Sequence, residues 1–196
     1  MLFRSMLFAG VSLELRAGQA ALLRGPNGTG KSSLMRLIAG LLPAYAGTVE
    51  RNARMAMSDE NLALEPNQPL AQALGFWASL DNAPPHAMPD ALAALSLGHL
   101  AQVPVRILST GQRKRAMLAR VIASGSPLWL LDEPGNGLDT ASLDLLGAEM
   151  QTHLASGGAI VAASHQPLPL PGATEIDISA HQPAPEAFDA PVEDAA

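Results

Sequence analysis

The chain has 196 residues, 48% of them hydrophobic, which is enough to fill the core of one domain. Its net charge is -6, and residues 179–196 hold four of its 18 acids and no Lys or Arg, leaving 14 acids and 12 bases before them. This balance argues against a nucleic-acid-binding face, the absence of cysteine excludes disulfides, and no apolar run approaches the roughly 18 residues of a membrane span.

The first predicted elements surround a glycine-rich loop. Residues 11–15 alternate apolar and polar side chains, as a half-buried strand does, and the apolar run at residues 20–23 predicts a second strand. The sequence GPNGTGKSS, residues 25–33, follows this strand and leads into a helix that is predicted from near Lys31 to residue 39. Gly40 then stands where a left-handed helix cap is wanted.

The middle of the chain changes character. Short strands are expected at residues 45–50 and 54–57. Residues 62–108 are rich in Ala and Leu and broken by six prolines, which predicts a helical subdomain inserted into an α/β core. Phe76 and Trp77 lie on its first helix, where aromatic residues are more often core than partner-facing surface.

The second half of the chain completes the α/β pattern. Ser109 and Gln112 have the spacing of a capping box, so a long helix begins there. Apolar runs and glycine stops predict a buried strand at residues 128–131, a helix at 140–156 and a second buried strand at 159–163. We expect one α/β domain, residues 1–178, with a mostly parallel sheet and flanking helices, and a disordered Pro, Ala and acid tail at residues 179–196.

The glycine-rich loop fits the phosphate-loop pattern of Gly, four residues and Gly-Lys-Ser, in the strand, loop, helix context that the motif requires. Its glycines let backbone N–H groups point at phosphate oxygens, and the helix adds the positive end of its dipole. Lys31 would neutralise the outer phosphates, and the Ser32 hydroxyl would hold magnesium (Mg2+). The nucleotide-binding candidates here are Gly25, Pro26, Asn27, Gly28, Thr29, Gly30, Lys31, Ser32 and Ser33.

Two later stretches carry groups that can act on a phosphate. Asp132 follows the buried strand in LLDEP, where it can hold Mg2+, usually through water, and Glu133 then points toward the attacking water. His165 follows the strand at residues 159–163 and could contact the terminal phosphate, although a lone His at a strand end is commonly only solvated.

The segment LSTGQ, residues 108–112, predicts a second phosphate-binding surface. Ser109 supplies a hydroxyl, Gly111 allows close approach, and Gln112 lies in the first turn of the same helix. The phosphate loop of the same chain leads into a different helix, the one that begins near Lys31, and that loop already provides the chain's own nucleotide site. This surface therefore predicts contact with a nucleotide held by another copy of the chain.

Five motifs together resemble the ATP-binding subunits of ABC transporters, over residues 10–178. They are GPNGTGKSS, LSTGQRKRAMLARV, WLLDEP, GLD and SHQ, in this order and spacing. Further stretches are most similar to the haem exporter ATPases of cytochrome c maturation, namely IAGLLPAYAGTV, the Phe76-Trp77 pair, PLWLLDEPGNGLD and ASHQPL. The resemblance implies a P-loop NTPase core with an inserted helical subdomain, and ATP and Mg2+ as cofactors.

The resemblance also implies how the site works. In an ATP-bound, head-to-tail homodimer, Ser109 and Gly111 of one copy close on the γ-phosphate that Lys31 of the other copy holds. Glu133 would polarise the hydrolytic water, and His165 would hold the γ-phosphate. Asp139, in GLD, would link the two sites across the dimer.

The implied partners are an integral membrane transporter subunit and, indirectly, haem or a haem chaperone, with no nucleic acid. We therefore expect a soluble chain on the cytoplasmic face of the bacterial inner membrane. The sequence departs from the family at three places. Phe3 is the only near candidate for the aromatic residue that stacks on adenine, Asp59 or Glu60 stands near the position of a usual glutamine, and Gly135 and Asn136 precede GLD.

Other interpretations stay open at this point. The chain could be an ABC ATPase for another cargo, or a nucleotide-gated assembly module with little turnover, which the missing aromatic residue and glutamine motivate. The acidic balance disfavours a soluble ATPase of DNA repair or translation. A small-molecule kinase would leave LSTGQ without a function.

Overall fold

The computed structural model describes residues 6–58 and 64–183. Its centre is a five-stranded sheet in the order β2-β3-β4-β1-β5, with every neighbouring pair parallel. The strands are β1 Ala20–Arg24, β2 Met55–Ser58, β3 Leu128–Asp132, β4 Ala159–Ala163 and β5 Thr174–Asp177. The central strands β3, β4 and β1 are the ones with continuous apolar runs, because helices cover both faces of a parallel sheet.

Five α-helices surround the sheet. They are α1 Lys31–Ile38, α2 Leu70–Leu80, α3 Ala87–Ala94, α4 Thr110–Ala123 and α5 Thr140–Ala155. Three short 3-10 helices lie at Gly98–Leu100, Val105–Ile107 and Ile178–His181. Within the ranges that the structure describes, no helix has both the length and the apolarity to span a lipid bilayer.

Alternate residues of the central strands build two cores, one on each face of the sheet. Leu22 and Leu131 face a core that includes α4, α5, α2 and α3. Leu23 and Leu130 face the other core, where α1 packs. The helix that follows the phosphate loop is thereby fixed against the strands that carry the remaining site residues.

The two aromatic residues of α2 have different environments. Trp77 packs against the larger core, and the Arg120 guanidinium carbon lies 3.8 Å from the centroid of its ring. Phe76 meets Trp77 edge to face but is 59% exposed. The prediction of a core residue therefore holds for Trp77 and is wrong for Phe76.

Two predicted strands are absent and one strand was missed. Residues 11–15 and 45–50 do not pair with any strand in the described part of the chain, so both predictions are wrong. Alternate residues of the first segment, Val11, Leu13 and Leu15, do pack against the α1 core, because alternation indicates a buried face and not a hydrogen-bonded neighbour. The missed strand, β5, lies at a sheet edge and has only one half-buried residue.

The described structure continues past residue 178, where the tail was predicted to begin. Ile178 is fully buried and begins a 3-10 helix, and the Ala9 N–H donates to the carbonyl of His181 over 2.8 Å. The folded part therefore extends beyond the predicted start of the tail. Residues 184–196 of that tail, and Phe3, Asp59 and Glu60, lie outside the described residues.

Candidate active site

The carboxyl ends of the neighbouring strands β3, β4 and β1 open into one cleft of about 480 Å³. Parallel strands end at the same edge of a sheet, so the residues that follow them meet there. The cleft brings together most of the predicted site residues: Asn27, Gly28, Gly30, Lys31, Ser32, Ser33, Asp132, Glu133 and His165.

The phosphate loop has a backbone that only glycine fits at its two ends. Gly25 has φ 136°, and a Cβ there would lie 2.9 Å from Thr29 Oγ1. Gly30 has φ 101°, and a Cβ there would lie 2.8 Å from Cδ1 of Phe8. Thr29 Oγ1 also donates to the Pro26 carbonyl over 2.9 Å, which closes the loop on itself. The loop is therefore a preformed cradle.

Lys31 is the cation of this cradle. Its buried ammonium donates to the carbonyl of Gly25 over 2.7 Å and to that of Pro26 over 3.0 Å. The same nitrogen lies 3.8 Å from Oε1 of Glu133. A phosphate that enters the cleft meets a positive charge already held in place.

Glu133 stands between this cation and His165. It is buried, and its backbone N–H extends the β3-β4 ladder by donating to the Ala163 carbonyl over 2.8 Å. Its φ is 46°, a left-handed conformation that is uncommon for a residue with a side chain and that concentrates at functional sites. Oε2 of its carboxylate lies 3.0 Å from Nδ1 of His165, whose side chain remains partly exposed to the cleft.

The oxygen ligands in the cleft suit a magnesium ion bound together with a nucleotide. The buried carboxylate of Asp132 and the hydroxyl-bearing Ser32 line the same cavity. No group of three or more His, Cys, Asp or Glu residues suited to a metal exists in the described ranges. Mg2+ in nucleotide sites is bound by one or two protein ligands, by water and by phosphates, so these residues fit it.

Ser109 of the second predicted surface and Asp139 of GLD lie outside this cleft, and each of them caps a helix. Ser109 Oγ accepts from the Gln112 N–H over 3.2 Å, and the Ser109 N–H donates to Gln112 Oε1 over 2.9 Å, which confirms the predicted capping box of α4. Asp139 Oδ1 accepts from the Ser142 N–H over 2.8 Å and caps α5. Hydrogen bonds from Ser142 lower the pKa of the Asp139 carboxyl.

These two capped segments lie against each other. A Cβ on Gly111 would lie 3.0 Å from the carbonyl oxygen of Gly137. Asn136, one residue earlier, lines the phosphate cleft. The short loop from Asn136 to Asp139 therefore connects the cleft to the LSTGQ segment, although the LSTGQ residues do not line the cleft of their own copy.

Three residues that line the cleft were not predicted as site residues from the sequence: Leu7, Arg36 and Asn136. Arg36 is four residues after Ser32 on α1, so helical spacing could have identified it. Leu7 belongs to the segment that contacts Gly30, and no local pattern in the sequence indicates that approach.

Comparison with known proteins identifies the family. A family model described as ABC transporter matches residues 8–136. The chain belongs to the ABC transporter family. It is an ABC ATPase, an enzyme that binds and hydrolyses ATP, as its motifs predicted. The ATPase of an ABC transporter acts together with a membrane partner.

Two curated relatives refine the type of ABC ATPase. Both are named cytochrome c biogenesis ATP-binding export protein CcmA. The protein from Sphingopyxis alaskensis is 52% identical over 171 residues, which cover 87% of this chain and 88% of that protein. The protein from Novosphingobium aromaticivorans is 52% identical over 178 residues, which cover 91% of each. This ABC ATPase is therefore of the CcmA type.

Solved structures confirm the predicted fold class. An ABC transporter ATP-binding protein from Pyrococcus furiosus has a TM-score of 0.79 at 19% identity, covering 90% of this ABC ATPase and 92% of that chain. A metal-chelate type ABC transporter in an inward-facing conformation has a TM-score of 0.71 at 25% identity, covering 83% and 69%.

Proposed function

We propose that this chain is the ATP-hydrolysing subunit of a membrane complex of cytochrome c biogenesis, one that exports haem or releases a haem-loaded chaperone. The CcmA relatives support this assignment, because their names state the process and their similarity extends over nearly the whole chain. The complex would place this subunit on the cytoplasmic face of the bacterial inner membrane, bound through an integral membrane partner.

The observation that carries the hydrolytic function is the position of Glu133 between Lys31 and His165. Its carboxylate oxygens lie 3.8 Å from the ammonium and 3.0 Å from the imidazole. With a triphosphate in the loop, Lys31 neutralises the outer phosphates and His165 contacts the γ-phosphate. Glu133 then orients and polarises the attacking water, since phosphoryl transfer depends on positioned charge more than on covalent chemistry.

Ser32 and Asp132 are the residues that would hold Mg2+, which neutralises charge on the β- and γ-phosphates when it is bound. Lys31 must exchange at least part of its hydrogen bonding to the loop carbonyls for phosphate oxygens. The closed cradle of the phosphate loop limits how far the backbone has to move.

A head-to-tail homodimer would complete the site. Ser109, Gly111 and Gln112 present the capped N-terminus of the 14-residue helix α4, a polar surface suited to an anion. They lie outside the cleft of their own copy, so the nucleotide that they contact would belong to the other copy. The Asn136–Asp139 loop would then carry the state of one site to the other through Asp139.

The substitution Glu133→Gln tests the hydrolytic assignment, because it removes the charge and keeps the shape. In the complex with the membrane partner, ATP turnover should fall by about 100-fold or more while ATP binding is retained. Glu65→Gln is the matched control, since Glu65 is exposed and does not line the cleft. Unchanged turnover in Glu133→Gln would remove the proposed role, and ATP-dependent dimers with negligible wild-type turnover would favour an assembly module instead.

A further inference from the structure

Ser164, the residue before His165, fixes the loop that carries the histidine. It is hydrogen-bonded to β1 on one side and to Gln166, the residue after the histidine, on the other. Ser164 is buried, and its N–H donates to the Leu23 carbonyl over 3.1 Å at the end of the β1-β4 pairing. Its hydroxyl donates to the Gln166 carbonyl over 2.9 Å and accepts from the Gln166 N–H over 3.1 Å. The position of the imidazole thus depends on where this tight turn is held.

Arg24 holds the turn from outside. It is the last residue of β1, immediately before the phosphate loop, and its Nη1 donates to the Gln166 carbonyl over 2.9 Å. Its Nη2 and Nε lie 3.0 Å and 3.3 Å from Oε1 of Glu175 on β5. One guanidinium therefore links the strand that leads into the phosphate loop, the His165 turn and the edge strand.

The register of the sheet explains this arrangement. Arg24 is directly opposite Asp177 in the β1-β5 pairing, but the Asp177 carboxylate accepts from the N–H and hydroxyl of Ser179. Glu175 is two residues earlier on β5, and side chains two residues apart share a face of a sheet. Glu175 is thus the neighbouring carboxylate that can orient the guanidinium.

Arg24 contributes to the position of the His165 turn more than to the stability of the fold. The side chains of Arg24 and Glu175 are 29% and 60% exposed, and exposed ion pairs add little to stability. The guanidinium is planar with a rigid set of donors, so fixing two of its nitrogens on a carboxylate sets the direction of the third. That third nitrogen reaches the backbone next to His165.

We propose that Arg24 is a positioning residue for ATP hydrolysis, which keeps His165 beside Glu133 by tying the His165 turn to the end of β1. This inference rests on the proposed role of His165 at the γ-phosphate. Arg24 itself does not line the cleft, so it acts through the turn and not on the nucleotide.

A double-mutant cycle tests this inference in the complex with the membrane partner. Arg24→Met should lower kcat by about tenfold, the order expected for losing one hydrogen bond to a charged donor, and change the KM for ATP by less than about twofold. When His165 is already Ala, adding Arg24→Met should cause no further loss, because residues that act through one another are not additive.

Three further measurements sharpen the cycle. Arg24→Lys keeps the positive charge but loses the planar set of guanidinium donors. Its kcat should therefore lie between those of the wild type and Arg24→Met. Amide hydrogen exchange at residues 164–170 should be faster in Arg24→Met than in the wild type. Arg16→Met is the matched control, because Arg16 forms an exposed ion pair with Glu14 and should leave both readouts unchanged.

The outcomes separate this inference from the proposed function. A full tenfold loss that persists in the His165→Ala background, or a raised KM with unchanged kcat, would show that Arg24 acts on the phosphate loop and would overturn the inference. Wild-type turnover in Arg24→Met beside an inactive Glu133→Gln would overturn this inference alone. Wild-type turnover in Glu133→Gln would overturn the proposed function.

Discussion

The glycine at position 147 offers a quantitative test of how the His165 segment packs on α5. A Cβ on Gly147 would lie 2.9 Å from both Cβ and Cγ of Pro169, which follows His165 by four residues. Gly75, inside α2, is the matched control, because a Cβ there would meet no heavy atom within 4 Å outside its own helix backbone. Both substitutions to Ala gain the same helix propensity, about 1 kcal/mol.

The two substitutions should therefore diverge in stability. Gly75→Ala should raise the free energy of unfolding by about 0.5–1 kcal/mol, since it gains propensity without a clash. Gly147→Ala must displace the Pro169 ring, and overpacking of this kind costs about 1–3 kcal/mol. The net expectation for Gly147→Ala is a loss of up to about 2 kcal/mol in urea unfolding followed by circular dichroism.

The same displacement should reach the site. Moving Pro169 shifts the segment that carries His165, and a misplacement of about 1 Å in a catalytic group can cost up to about 100-fold in rate. We expect ATP turnover in Gly147→Ala to fall by about tenfold or more and turnover in Gly75→Ala to stay at the wild-type level. Equal stability and equal turnover in the two variants would refute the packing of Pro169 on α5.

Two further predictions concern the cap of α4 and the half-buried His153. Ser109→Ala should lower the free energy of unfolding by about 1 kcal/mol, whereas Ser109→Asp should keep the cap but abolish ATP-dependent dimerisation in size-exclusion chromatography, because it brings a negative charge to the γ-phosphate. Dimers of Ser109→Asp would contradict the proposed contact. His153 stacks on Trp129 with ring centroids 3.8 Å apart, and burial lowers the His153 pKa, so folding favours the neutral ring. Its contribution to stability is complete above the unfolded pKa of about 6.5 and is lost as the pH falls below it. His153→Phe should therefore flatten the fall in Tm between about pH 7 and pH 5, and an unchanged pH dependence would contradict this.

The parts of the fold that the sequence predicts are those with a local signal. The continuous apolar runs of β1, β3 and β4 and the capping box of α4 correspond to the observed elements within a residue or two. The alternation at residues 11–15 correctly indicates a half-buried face, but pairing needs a partner strand, which residues 45–50 do not supply in the structure. β5 has almost no apolar signal because it lies at a sheet edge.

The candidate site divides in the same way. The phosphate loop, Asp132, Glu133 and His165 are recognisable because each stands at the end of an apolar strand, and parallel pairing then brings them together. The contact of Phe8 with Gly30, and the link from Arg24 to Gln166, join residues that are 22 and 142 positions apart. These contacts depend on strand order and register, which no local pattern contains.

The most direct test of the proposed function measures covalently bound haem in the c-type cytochromes of the host. The gene is deleted and restored as the wild type, as Glu65→Gln or as Glu133→Gln. Haem attachment should disappear on deletion, return with the wild type and with Glu65→Gln, and not return with Glu133→Gln. Normal attachment in the deletion strain would contradict the role in cytochrome c biogenesis and point to another cargo, and restoration by Glu133→Gln would contradict the requirement for hydrolysis through Glu133.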